Sequence, residues 1–129
     1  MIIKMRSIDD FYNLFKKFAT QIPVSVRKVG CYGIGLLPGV ALQNFESYYE
    51  DAINTLLTAG NIQKPAATQM SENLICKEYI TSAFGKVIYI AIKYNFGEPS
   101  TRFERWNSFQ NSLPLKKTLN EGFIMLNYL

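Results

Sequence analysis

Residues able to do acid–base or metal chemistry near neutral pH are sparse, because the chain of 129 residues contains no histidine. Histidine is the commonest general acid or base and a frequent metal ligand in this pH range. Its absence excludes Ser-His-Asp and Cys-His nucleophiles, His-ligated zinc and a proximal haem histidine. The two cysteines, Cys31 and Cys76, are isolated and lack metal-ligand spacing. We therefore predict no catalytic residue, no metal site and no cofactor.

Basic side chains are the remaining candidates for contact with an anionic partner, and four are singled out: Lys16, Lys17, Arg102 and Arg105. A histidine-free nuclease would use such cations to stabilise a phosphorane, although nothing in their spacing marks a site. Trp106 beside the two arginines resembles the mixture of cations and rings found on RNA-binding surfaces. Because Trp106 recurs with Phe103 and Phe109 at helical spacing, we expect it in the core instead.

The glycine-rich segment 30–40 matches neither phosphate-binding pattern. A P-loop requires a lysine and a Ser or Thr leading into a helix, whereas Gly35 is followed by Leu36, Leu37 and Pro38. The dinucleotide-binding pattern Gly-x-Gly-x-x-Gly also fails, because after Gly33 and Gly35 the third glycine position is occupied by Pro38. Bent or bulged backbone explains these glycines better.

Composition bounds the class of protein. Hydrophobic residues make up 48% of the chain and the net charge is only +4, which indicates one globular domain over residues 1–129. Lys4 and Arg6 interrupt the N-terminus, so no secretory signal is predicted. The longest apolar run, residues 31–42, is too short and too broken by Gly and Pro to span a bilayer. We expect an intracellular protein, cytoplasmic or part of a virion, with no membrane contact.

Three amphipathic helices are predicted from apolar residues at helical spacing. The first covers about residues 8–20 and ends before Pro23. The second covers about residues 45–58, with Asn44 as its N-cap and Gly60 as its C-cap. The third opens at Pro99 and directs Phe103, Trp106 and Phe109 inward.

Strands are predicted between and after these helices. Val24–Val29 has one polar face, and residues 30–40 extend it, bend it or form a hairpin. Residues 74–81 are ambiguous between strand and helix, and we favour a strand because residues 87–94 read as a central one. A last strand is expected over 123–129. The order predicts an α+β fold, with an N-terminal helix before a ferredoxin-like βαββαβ sheet, mixed or antiparallel, with helices on one face.

The function expected from these features is a non-enzymatic assembly or protein-interaction subunit. The apolar last strand would pair within the sheet, and another subunit would complete its neighbouring edge; the residues proposed for that interface are Phe123, Met125, Tyr128 and Leu129. Charge alternates from basic to acidic to basic along the chain, which suits contact between copies. By analogy of fold alone, a ring-forming virion component of the phage tail-completion or connector type is predicted. The alternative is a small basic protein that binds nucleic acid or a nucleoprotein as an inhibitor or regulator. A nuclease-like enzyme comes third.

Overall fold

The computed structural model describes residues 7–62 and 70–112, and within them the side chains of 7–62 and 76–109. These residues form five α-helices: α1 Ile8–Ala19, α2 Val24–Ala41, α3 Glu46–Asn61, α4 Met70–Lys93 and α5 Pro99–Ser112. A 3₁₀ turn, Leu42–Phe45, joins α2 to α3. The described part of the chain contains no strand, so the predicted α+β ferredoxin-like fold is wrong. The architecture is an all-helical bundle.

Helix α1 confirms the predicted N-terminal helix and packs on α2 and α3. The Tyr12 hydroxyl donates to the Asp51 carboxylate at 2.5 Å, and Lys16 Nζ pairs with the same carboxylate at 2.9 Å. In the first turn of α1, the Asp9 carboxylate accepts a hydrogen bond from the Tyr48 hydroxyl at 2.7 Å. The Ser7 side chain makes no hydrogen bond that caps α1.

Helix α2 replaces the strand and the bend predicted for residues 24–40. Three of its glycines, Gly30, Gly33 and Gly35, allow close packing between helices. A Cβ on Gly30 would overlap the backbone nitrogen of Ala19 in α1, and a Cβ on Gly35 would lie 2.9 Å from Cα of Ala83 in α4. Because these positions lack a side chain, α2 lies directly against both neighbouring helices.

Helix α4 replaces the two strands predicted over 74–81 and 87–94. It is a single helix of 24 residues that packs on α2, α3 and α5. Because α4 is covered on several sides, its buried apolar residues occur on most of its sides, which weakens the one-sided periodicity of a surface helix. Its β-branched residues Val87 and Ile88 are buried. Tertiary packing outweighs their weak preference for strands.

The remaining helix predictions are confirmed in part. Trp106 and Phe109 of α5 are buried, and the ring of Phe109 stacks on Phe84 at a centroid distance of 4.1 Å, but Phe103 is 68% exposed. Helix α3 is confirmed, whereas its predicted caps are wrong: Asn44 lies in the 3₁₀ turn and Gly60 lies inside the helix. The predicted strand 123–129 lies outside the described residues. Across the described ranges, the helices lack the combination of length and apolar character needed to cross a bilayer.

Candidate functional site: the contact between α2 and α4

Helices α2 and α4 run side by side in the same direction. Arg27 contacts Cys76, and further along, the rings of Tyr32 and Tyr79 meet edge to face at 6.3 Å. Gly35 then lies against Ala83. The contact has a buried side, which holds both cysteines, and a solvent side, which carries exposed apolar groups.

The solvent side of α2 carries an apolar stripe, which we call the α2 stripe: Val29, Tyr32, Leu36 and Val40, with exposed fractions of 52%, 50%, 44% and 76%. The spacing of three, four and four residues keeps all of them on one side of the helix. Exposed apolar residues scattered singly are ordinary, but a contiguous row marks an interaction surface.

Two lysines flank the aromatic pair beside the α2 stripe. Lys28 Nζ lies 5.2 Å from the ring centre of Tyr79, and Lys86 Nζ lies 5.7 Å from that of Tyr32. A cleft of about 210 Å³ opens here, lined by Tyr32, Gly35, Glu78, Tyr79, Ser82, Ala83 and Lys86. Small-molecule sites typically occupy about 300–1,000 Å³. The cleft therefore suits a side chain of a protein partner better than a cofactor.

On the buried side, Arg27 is only 1% exposed although it carries a charge. Its Nη1 donates to the backbone carbonyls of Gln21 at 3.0 Å and Ile22 at 2.6 Å. Its Nε donates to Cys76 Sγ at 3.2 Å. Both ion pairs found among the described residues involve other cations. A buried charge requires a compensating partner, and the Cys76 sulfur is the group in contact that can ionise.

The two buried thiols of this contact interact with each other and differ in their ionisation. Interaction with the Cys31 thiol, helped by Arg27 and Lys28, outweighs burial and lowers the pKa of Cys76 to about 6. Interaction with Cys76, together with burial, raises the pKa of Cys31 well above its ordinary value. Because Arg27 contacts Cys76, Cys76 is the thiolate and Cys31 keeps its proton.

We expect the free energy of unfolding to fall as the pH is lowered from about 8.5 towards 6. A thiol whose pKa is lower in the folded chain than its unfolded value of about 8.5 stabilises the fold above that value. The stabilisation is lost as the pH falls through the folded pKa of about 6. One titrating proton gives a slope of at most about 1.4 kcal/mol per pH unit. Urea unfolding at half-unit pH steps measures this slope.

The control for this slope is Cys76→Ser, which should be nearly flat over the same pH range. The chain offers a clean background, because it has no histidine to titrate between pH 5 and 8. Above about pH 8.5 the raised pKa of Cys31 lowers the free energy of unfolding as the pH rises, because the unfolded thiol ionises while the folded one stays protonated. Equal slopes for the wild type and Cys76→Ser would contradict a folded-state thiolate.

The basic residues singled out from the sequence are largely engaged within the fold. Lys16 pairs with Asp51, and Arg105 pairs with Glu50. Arg102 is buried and donates to the carbonyls of Phe96 at 2.7 Å and Gly97 at 3.0 Å, closing the turn between α4 and α5. Lys17 is exposed. The interface residues predicted at the end of the chain, Phe123, Met125, Tyr128 and Leu129, lie outside the described residues.

Sequence reasoning missed the residues of the α2–α4 contact because it assigned them to strands. The signal that points to them is helical spacing: Arg27 and Cys31 lie four residues apart and so share one side of α2. The approach of Cys76, which is distant in sequence, has no local signal.

Comparison of the chain with protein-family models, with characterised proteins and with solved structures gives no match in any of the three.

Proposed function

We propose that the protein is a non-enzymatic assembly subunit that binds a second copy of itself through the solvent side of α2 and α4. The docking face comprises the α2 stripe together with three residues of α4: Glu78, Tyr79 and Lys86. The observation that carries the proposal is the exposed apolar row on α2, next to opposite charges that are symmetrically placed on α4.

The charges on α4 favour a second copy over an unrelated partner. Glu78 and Lys86 lie four residues on either side of Ser82, so the three share one side of the helix. A two-fold axis through Ser82 brings Glu78 of one copy beside Lys86 of the other, and the same pair forms again across the axis. An isologous dimer requires such a self-complementary surface.

The apolar part of the docking face supplies affinity and the charges supply register. Burying apolar surface gains about 25 cal/mol per Å², whereas exposed ion pairs contribute little affinity and mainly fix orientation. A ring-forming virion component stays a prediction, because a closed ring needs contact between two different faces of the subunit.

The mass of the untagged protein by light scattering on a sizing column tests the proposal. We expect twice the 14.7 kDa of one chain at both low and high salt, because an apolar interface resists salt. Leu36→Glu should shift the protein to the monomer, because it puts a carboxylate into the apolar part of the docking face. The matched control is Phe103→Glu, which changes an exposed apolar residue of α5 and should leave the dimer intact.

Charge reversal separates this dimer from other apolar association. Glu78→Lys and Lys86→Glu should each weaken the dimer at low salt by placing like charges together, and the double reversal should restore it. Circular dichroism establishes that each variant is folded. A monomeric wild type at about 100 μM, or a double reversal weaker than both single variants, contradicts the proposal.

A further inference from the structure

The buried group formed by Arg27, Cys31 and Cys76 has a second consequence, independent of dimer formation. We propose that Cys76 and Cys31 form a redox-active dithiol, which a small hydroperoxide oxidises to a disulfide between α2 and α4. Three observations carry this: the guanidinium of Arg27 contacts the Cys76 sulfur at 3.2 Å, Cys31 lies one helical turn beyond Arg27 on the same side of α2, and both thiols are buried although they come from different helices.

The arrangement assigns a different role to each sulfur. Thiolates, not thiols, attack oxidants, and a neighbouring arginine favours the thiolate. Arg27 contacts Cys76, which makes Cys76 the attacking sulfur. Cys31 keeps its proton and interacts with Cys76 from the facing helix, so it is the resolving thiol. The guanidinium replaces the solvation that a buried thiolate loses.

The reaction balances in two steps. The Cys76 thiolate attacks one oxygen of hydrogen peroxide, the O–O bond breaks, and hydroxide leaves, giving the sulfenic acid at Cys76. Cys31 then attacks the sulfenic sulfur, an S–S bond forms, and water leaves with the Cys31 proton. Two electrons pass from the sulfurs to the peroxide. Both thiols are buried, so a reagent of nearly the size of water is needed, reaching them through local opening.

The charges around Cys76 set the pH range of this reaction. Arg27, Lys28 and Cys31 act on it from α2. On α4 itself, Lys77 and Glu78 are its neighbours in sequence. Helix α3 also packs on α4, but two of its carboxylates are already paired, Glu50 with Arg105 and Asp51 with Lys16. The groups known to act on Cys76 thus favour its charged form.

Intact-mass spectrometry after treatment of the reduced protein with hydrogen peroxide tests the proposal. We expect the wild type to lose about 2 Da and to recover with dithiothreitol. Cys31→Ser should stop at the sulfenic acid, about 16 Da heavier and trapped by dimedone. Cys76→Ser should leave Cys31 unoxidised on the same timescale. A wild type that gains oxygen without forming the disulfide, or a Cys76→Ser that reacts as fast as the wild type, overturns the proposal.

The pH dependence in the wild type provides a readout that needs no variant to fold. With its pKa at about 6, Cys76 is already ionised at pH 7. The rate at which hydrogen peroxide oxidises Cys76 should then change less than about twofold between pH 7 and pH 9. At pH 5 it should be roughly tenfold lower than at pH 7. An unstructured peptide with one ordinary cysteine is the control, and its rate should rise about twentyfold from pH 7 to pH 9. A wild-type rate that rises as the peptide's does overturns the proposal.

Discussion

Gly30→Ala is expected to destabilise the protein by about 3 kcal/mol or more, a large part of the stability of a domain this size. The added Cβ would overlap the backbone nitrogen of Ala19 and lie 2.5 Å from the carbonyl oxygen of Phe15. Both obstacles are backbone atoms of α1, so no side-chain rotation relieves the clash. Helices α1 and α2 must separate, which opens the core around Cys31 and Ile34.

Gly39→Ala is the matched control, because it makes the same change in the same helix. Nothing lies within 4 Å of a Cβ at this exposed position. Alanine is favoured over glycine inside a helix, so this variant should be more stable by about 0.5–1 kcal/mol. Urea unfolding followed by circular dichroism at 222 nm compares the two. If Gly30→Ala and Gly39→Ala changed the free energy of unfolding in the same direction, α1 and α2 would not be in backbone contact at Gly30.

The opposite behaviour of these glycines shows why the fold could be predicted only in part. Helices α1, α3 and α5 each have a solvent-facing side, so their apolar residues recur at helical spacing and their predicted ranges are nearly correct. Helices α2 and α4 lie in the middle of the bundle. Their apolar residues occur on most sides, and such runs cannot be distinguished from buried strands by periodicity.

The glycine cluster of α2 misled the prediction in a specific way. Gly30, Gly33 and Gly35 within six residues indicate a bend when each is judged by its backbone freedom. In the structure each is needed for the side chain it lacks: Gly33 lies under the ring of Phe15, as Gly30 and Gly35 lie under the backbones of α1 and α4. Which neighbour a glycine packs against is decided by tertiary structure, which local sequence does not encode.

The candidate site was unpredictable for a related reason. The absence of histidine directs attention away from ordinary acid–base chemistry and leaves the cysteines without an assigned role. Cys31 and Cys76 are about 45 residues apart, and their meeting depends on α2 and α4 running in the same direction. A prediction of strands places Arg27 and Cys31 about 13 Å apart along a strand, whereas in α2 the same four residues rise by only about 6 Å.

Arg27→Met is expected to cost about 3–5 kcal/mol of stability, the range observed when one partner of a buried ionic contact is removed. Methionine retains much of the apolar volume, so the loss reports on the guanidinium. Two carbonyls of the loop between α1 and α2, those of Gln21 and Ile22, lose their donor, and the Cys76 thiolate loses its counter-charge. Arg27→Lys should recover only part of the loss, because an ammonium cannot reproduce the planar fork of donors. Lys17→Met, at an exposed position, should stay within about 0.5 kcal/mol of the wild type.

A double-mutant cycle with Cys76→Ser separates the two contributions of Arg27. If the guanidinium stabilises the thiolate, the two substitutions are not additive, and the coupling free energy at pH 8 should exceed about 1 kcal/mol. At pH 5 both the folded and the unfolded chain carry the neutral thiol, so the coupling free energy should shrink. The cost of losing the two hydrogen bonds from Arg27 to backbone carbonyls should persist. A coupling that is equal at both pH values would mean that Arg27 serves the loop carbonyls alone. An Arg27→Met variant as stable as the wild type would mean that the guanidinium is hydrated. Arg27 would then not stabilise the Cys76 thiolate.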